Sequence, residues 1–215
     1  MHNTVKNLIY IEERIKSKAN HDKLPTIIAV SKTFPIENVL PLIEHGHFHY
    51  GENKVQEAID KWSDIKLNTN IKLHLIGGLQ TNKVKFALRI FDYIHSLDSE
   101  KLAIKIADEQ VKQGKKPKIF IQVNIGNEEQ KLGINKEKIS NFYKFCKNLN
   151  LDIVGTMCIP PNDSNTEEYF SEMKDINQEL NFKDLSMGMS GDYMDAIKNS
   201  ATYVRVGSKI FGSRN

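Results

Sequence analysis

The sequence predicts a (β/α)8 barrel of parallel strands preceded by one helix. Three observations carry this: eight short β-rich runs alternate with longer helical stretches, the 215 residues suit a single domain, and no linker or low-complexity segment marks a second. Strands that alternate with helices pair in parallel, because a crossover must return each strand to the same end of the sheet. Eight such units in a chain of this length sit near the lower end of the size range for a closed barrel. A doubly wound open sheet is the competing architecture.

Taken in order, residues 1–20 (MHNTVKNLIYIEERIKSKAN) hold Val5, Leu8, Ile9, Glu12 and Ile15 near helical spacing. They lack the continuous apolar core and small-residue cleavage site of a secretory leader, so they form the helix ahead of the barrel and a cytoplasmic location is expected. Strands follow at 26–31 (TIIAVS), 48–51 (FHYG), 72–77 (KLHLIG), 93–97 (YIHSL), 118–124 (KIFIQVN), 152–157 (DIVGTM), 184–188 (DLSMG) and 202–207 (TYVRVG). Helical stretches lie between them at 36–45, 53–63, 81–89, 99–113, 136–148, 166–180 and 191–199. The cluster IPPNDSNTEE (159–168) is a loop after the sixth strand, with Thr166 set to cap the next helix and Glu167 and Glu168 at its positive end.

Composition excludes several classes. Hydrophobic content of 40% and charged content of 27% are those of an ordinary globular chain, and no apolar run approaches the roughly 20 residues of a membrane span. The net charge of +3 is spread along the chain. Its densest basic run, KQGKKPK (112–118), falls at a helix-to-strand turn and reads as a solvated face rather than a nucleic-acid patch. Cys146 and Cys158 form no CxxC pair and are expected to be reduced and structural. Lysine outnumbers arginine 26 to 4, so each arginine departs from the default cation of this chain.

Barrels of this kind carry their sites at the carboxyl ends of the strands, often with a phosphate held after the seventh and eighth. SMGMSGD (186–192) follows the seventh strand and offers small residues and the Ser190 hydroxyl before a helix start; RVGSKIFG (205–212) follows the eighth with Gly207 and Ser208. Arg205 sits inside the apolar strand TYVRVG, where a buried cation needs a partner. Lys32 ends the first strand, adjacent to the eighth in a closed barrel. A lysine, an arginine and a phosphate cradle on one rim suit pyridoxal 5′-phosphate: an amine for its aldehyde, turns for its phosphate, an arginine for its ring nitrogen.

These segments resemble the pyridoxal-phosphate homeostasis protein family, single-domain relatives of the alanine racemase barrel. The matching stretches run in order from AVSKT (29–33) through YGENKVQE (50–57), HLIGGLQTNK (74–83), VNIGNEEQKLGI (123–134), GTMCIPP (155–161) and LSMGMSGDYMDAI (185–197) to VRVGSKIFGSR (204–214). The resemblance implies a fold-type III barrel spanning 1–215, with Lys32 as the aldimine lysine, Asn53 beside the cofactor, Ser190, Gly207 and Ser208 on its phosphate and Arg205 on its ring nitrogen. Gly78 stands where a histidine is expected, Thr156 where leucine is usual and Ser208 where threonine is frequent. The first of these departures bears on the pocket rim or a partner contact, and the last keeps the hydroxyl.

Other constellations fail on their residues. His45, His47 and His49 form an HxHxH without an acidic or cysteine partner. GGLQTNK (77–83) lacks the glycine before the lysine and the hydroxyl after it that a P-loop needs. A Ser31–Lys32 nucleophile pair is disfavoured because neighbouring strand residues face opposite ways.

The resemblance implies a monomer that holds pyridoxal phosphate and serves vitamin B6 homeostasis, with apo-enzymes as recipients and no nucleic acid or membrane partner. Racemases of this barrel type take their second acid/base group from a further carboxyl-terminal domain, and an arginine at the ring nitrogen makes a poor electron sink, so turnover is not expected. The alternatives are a weak amino-acid racemase or lyase acting through Lys32, and a cofactor-free aldolase in which Lys32 attacks a sugar carbonyl.

Overall fold

The computed structural model describes residues 1–18, 24–128, 130–163 and 165–213. Strands β1 (Thr26–Val30), β2 (His49–Glu52), β3 (Lys72–Leu75), β4 (Tyr93–Leu97), β5 (Lys118–Asn124), β7 (Asp152–Cys158), β8 (Asp184–Met189) and β9 (Tyr203–Val206) pair in parallel throughout, and β4 pairs with β5 to close the ring. A two-residue strand, β6 (Ile134–Asn135), adds to the carboxyl end of β5 through Val123 and Asn124. It is too short to leave a periodic signal, and the sequence reading missed it. The predicted (β/α)8 barrel is the observed fold.

Helices α1 (Asn3–Lys18), α2 (Leu40–Glu44), α3 (Val55–Leu67), α4 (Val84–Ile90), α5 (Glu100–Gln113), α6 (Ile139–Asn148), α7 (Thr166–Glu179), α8 (Tyr193–Lys198) and α9 (Ser208–Phe211) surround the strands. The helix predicted at 36–45 divides into a 3-10 turn at Ile36–Asn38 and the short α2, which starts at the proline-containing Leu40–Pro41. In α1 the buried stripe is Thr4, Val5, Leu8, Ile11 and Ile15, so Ile11 takes the place given to Glu12. Asn7 Nδ2 donates to Ile210 O at 2.9 Å and ties α1 to α9. Ala19 and Asn20 of the predicted helix lie outside the described residues. Thr166 is the first residue of α7 rather than its cap: its hydroxyl donates to Asp163 O at 3.3 Å, while Asp163 Oδ1 accepts from Asn165 N at 2.8 Å.

Two apolar clusters follow from the period-2 pattern of the strands. Outward residues such as Ile27, Ala29, Leu73 and Leu75 pack under the helices, and inward residues Ile28, Val30, Tyr93, Phe120, Met157 and Tyr203 fill the barrel. His74 and His95 share that interior, fully buried and stacked on Tyr93 and Phe120 at 4.2 and 4.3 Å between ring centres. Cys146 and Cys158 are unpaired and buried, with burial pushing each thiol up to about 12.

Candidate functional site

The carboxyl ends of β1, β2, β3, β8 and β9 surround a cavity of about 620 Å3, and all six residues singled out in the sequence line it: Lys32, Asn53, Ser190, Arg205, Gly207 and Ser208. The register explains the convergence. β1 lies beside β9, with Ile28 next to Arg205 and Ala29 next to Val206, so the chain leaving β1 emerges next to the turn that follows β9. The strand stops at Val30, two residues short of Lys32, which occupies the following turn half-buried while Ser31 is fully buried.

Arg205 projects into the barrel and is 4% exposed. Its guanidinium donates through Nη1 to Ser186 O and Ser186 Oγ, both at 2.9 Å, and through Nη2 to Cys158 O at 2.8 Å. The charge is met by carbonyl and hydroxyl oxygens, which fix the plane of the fork and answer the need for partners that burial imposes. At the mouth, Ser190 Oγ accepts from Gly207 N at 3.1 Å and more loosely from Lys209 N at 3.5 Å. A hydroxyl oxygen thus occupies the point where backbone N–H groups converge, and Ser208 stands exposed beside it.

Two further parts of the wall, Gly77 and Gln122, escaped the sequence reading. Gly77 is required by space: a Cβ there would lie 2.4 Å from Asn53 O. Gln122 Nε2 donates to Leu132 O at 3.1 Å and fastens the loop after β5 to the cavity edge. At Gly78, singled out in the sequence, a Cβ would come 3.0 Å from Leu132 Cδ1, so Leu132 occupies the space beside it. Thr156 is explained at a distance from the cavity: its hydroxyl donates to Asn177 Oδ1 at 2.9 Å inside the wall of β7 and α7.

The histidines belong to a different structure from the HxHxH considered above. His95 Nδ1 lies 3.0 Å from Ser186 Oγ, His95 Nε2 lies 2.9 Å from His74 Nδ1, and His74 Nε2 lies 2.9 Å from His49 Nδ1. One arrangement that satisfies every contact has Ser186 Oγ–H donating to His95 Nδ1, His95 Nε2–H to His74 Nδ1 and His74 Nε2–H to His49 Nδ1. Burial, then the charge of Arg205, holds His95 well below the usual imidazole range; burial, then its histidine neighbours, does the same for His74. The buried rings of His74 and His95 thus favour the neutral form. Their signal in the sequence was period 2, with His74 and His95 each set on the inward side of a strand. Among the described residues no group of three His, Cys, Asp or Glu side chains is arranged to hold a metal ion.

Lys32 and Arg205 are the titratable side chains among the described residues lining the cavity. An arginine stays protonated, so Lys32 is the lining group able to exchange a proton.

Comparison with known proteins bears on the family and the fold. A family profile described as the alanine racemase N-terminal domain matches residues 7–215. The pyridoxal phosphate homeostasis proteins of Aquifex aeolicus, Haemophilus influenzae and Escherichia coli K12 are 34%, 36% and 30% identical to this chain. The alignments cover 99%, 95% and 100% of this chain and 99%, 92% and 98% of the respective relatives. The structure of PipY from Synechococcus elongatus with PLP bound superposes with a TM-score of 0.87 at 30% identity, over 97% of this chain and 100% of that one. Alanine racemase of Clostridium difficile shares the fold at a TM-score of 0.75 and 17% identity, with 57% of its length covered. Through its alanine racemase N-terminal domain and its near full-length likeness to these relatives, the chain belongs to the pyridoxal phosphate homeostasis protein family.

Proposed function

We propose that this protein binds pyridoxal 5′-phosphate in the cavity, holds it covalently through Lys32, and serves as a reversible store from which apo-enzymes draw, without turnover of its own. One observation carries the reading: an amine, a buried guanidinium and a hydroxyl-and-amide cradle line one cavity. When bound, pyridoxal phosphate would supply an aldehyde able to condense with an amine as water leaves, a condensation that water reverses and in which a second amine can take the place of the first.

The chain's residues fit that group. Ser190 Oγ already draws the Gly207 and Lys209 amides to one point, so phosphate oxygens would meet donors that need little rearrangement. Arg205, locked by Ser186 and Cys158, donates and cannot accept a proton, which keeps a ring nitrogen facing it unprotonated. Gly77 packs against Asn53 and keeps that wall thin. Lys32 exchanges with solvent and with incoming amines, while no second acid/base side chain among the described lining residues supports transfer of a proton across two faces.

The test is the visible spectrum of the protein with added pyridoxal phosphate, before and after borohydride, with mass mapping of the reduced residue. Label on Lys32 is expected; label on Lys54 or Lys83 overturns the assignment. Racemase or lyase action, the other reading, predicts catalytic exchange of deuterium at the α-carbon of added amino acids, and multiple turnovers there would displace the storage role.

A further inference from the structure

The residues on either side of Lys32 are held far more tightly than a turn requires. Ser31 is fully buried; its N donates to Gly51 O at 3.1 Å, its hydroxyl to Glu52 Oε1 at 2.7 Å, and its carbonyl accepts from Lys61 Nζ at 2.9 Å. Thr33 has a φ of 69°, a left-handed conformation that is an outlier for a β-branched residue, and its N donates to Glu57 Oε1 at 2.5 Å. The partners come from β2 and the first turns of α3. Glu57 and Lys61, spaced i,i+4, face the same way and pair at 3.3 Å, and Lys61 also pairs with Glu52 at 2.9 Å. Trp62 Nε1 adds a bond to Glu52 Oε1 at 3.0 Å.

This arrangement is costly. A threonine held at a φ of 69° is in a strained, sparsely populated backbone conformation. The Lys61–Glu52 pair, with side chains 8% and 0% exposed, is the kind of ion pair whose desolvation cancels most of its attraction. Glu52 Oε2 is buried without a hydrogen-bond partner among the described residues. None of these three side chains lines the cavity. What they share is residues 31 and 33.

We propose that Glu52, Glu57 and Lys61 are positioning residues for Lys32: they fix its two neighbours and hold Thr33 left-handed so that the amine meets a phosphate-bearing aldehyde in the cavity already aimed. The inference rests on the reading of Lys32 given above. Capture joins Nζ to the carbonyl carbon and expels the carbonyl oxygen as water with two of the three ammonium hydrogens, so it needs no oxidant, reductant or net proton. What the clamp supplies is orientation, and misplacement of an amine by an ångström costs one to two powers of ten in rate.

The experiment compares the intact protein with Thr33→Gly, Thr33→Asn, Glu57→Gln and Lys61→Met. Three quantities are read: the rate of borohydride-trappable capture of pyridoxal phosphate, the affinity for 4′-deoxypyridoxine phosphate, which keeps the phosphate and lacks the aldehyde, and the denaturant midpoint. Glycine relieves the backbone strain, so Thr33→Gly is expected to match or exceed the parent midpoint yet capture about tenfold more slowly. Asparagine tolerates the left-handed region, so Thr33→Asn keeps the parent rate. Glu57→Gln and Lys61→Met slow capture about tenfold, and all four bind the deoxy analogue within about twofold of the parent. Parent-like capture rates in Thr33→Gly and Glu57→Gln overturn the clamp, as does a fall in analogue affinity that parallels the loss of rate. A trapped adduct on another lysine of the unmodified protein overturns the Lys32 reading itself, and is seen before any variant is made.

Discussion

The two ends of the barrel handle charge in opposite ways. At the carboxyl end the candidate cavity is lined by two cations, Lys32 and Arg205, together with hydroxyls and backbone. At the amino end, a cleft of about 440 Å3 collects Lys66, Lys72, Arg89, Lys115, Lys116 and Lys118 around the single carboxylate of Asp92. A count of positive charge alone would therefore point to the amino end and not to the candidate cavity. Helices after each strand point their N-termini, with unpaired N–H groups, toward the carboxyl end of the sheet and their C-termini, with unpaired carbonyls, toward the amino end. Lys66 donates to Ile90 O at the end of α4, and Lys115 donates to Arg89 O at 2.8 Å. Lysines at the amino end answer carbonyls, whereas the carboxyl end presents donors of its own and needs few cations.

The largest effect that sharpens this contrast is expected at Arg205. Arg205→Ala strips the donors from Ser186 O, Ser186 Oγ and Cys158 O and opens a void inside the barrel, for an expected loss of about 3–5 kcal/mol in chemical denaturation. Lys116→Ala at the other end removes a bond to Asn150 Oδ1 on an exposed side chain and is expected to change stability by less than about 0.5 kcal/mol. Comparable losses at the two positions would erase the distinction.

Between the ends runs the histidine chain, and its prediction concerns pH. Burial lowers His47 to about 4, and His49, His74 and His95 also lie below the ordinary imidazole value. Above roughly pH 6.5 folded and unfolded chains are both neutral at these sites. Below it the unfolded chain binds protons that the fold refuses. Stability therefore falls as pH drops from about 6.5 toward 4, by about 1.4 kcal/mol per pH unit for each histidine that stays neutral. Denaturation midpoints across that window check it, and a flat profile would mean the chain is protonated in the fold.

The contrast also explains what could be read in advance. Strand positions follow from alternation and short apolar runs, so all eight barrel strands were legible. Lys32, Ser190, Arg205, Gly207 and Ser208 were legible because strand ends and small-residue turns have a fixed place in a closed barrel, whereas Asn53 came from the family resemblance alone. Register was not legible, and register alone carries Gly77 against Asn53, Gln122 to Leu132 and Ser186 beneath Arg205. The histidine chain joins residues 49, 74, 95 and 186, too far apart in sequence for spacing to suggest a link. The turn at 31–33 hid its strain, because a threonine gives no sign of left-handed backbone. The run at 112–118 was read as a solvated turn; three of its lysines join residues from α3, β3 and α4 in the basic cleft, a grouping that only the fold brings about.

Phosphate recognition offers a test of moderate size. If donors rather than cations select the anion, Ser190→Ala is expected to weaken binding of 4′-deoxypyridoxine phosphate about tenfold, and Ser208→Ala by a similar factor, with little change in stability. The double variant Lys72→Gln, Lys118→Gln removes two charges from the basic cleft and is expected to leave that affinity within about twofold. Titration calorimetry on the three proteins separates the cases. Stronger dependence on the distant lysines than on the serines would show that net field, not local geometry, selects the ligand.

A modest effect is expected at Lys66, whose ammonium caps Ile90 O and pairs with Asp92 while 24% exposed. Burial pulls its pKa below the usual lysine value, although Asp92 opposes that shift. The side chain therefore gives up hydration to reach a carbonyl and a carboxylate, and the net gain is modest. Lys66→Met keeps the apolar stem and removes the charge, with an expected loss of about 1 kcal/mol. Asp92 Oδ2 also accepts from Leu73 N at 2.9 Å, so the carboxylate keeps one donor and the site does not collapse. Because this lysine serves helix α4 and the entry to β4, its loss should leave phosphate affinity at the opposite end unchanged. A coupled fall in both would mean that the basic end reaches through the barrel to the cavity, and the two ends would then have to be treated as one electrostatic unit.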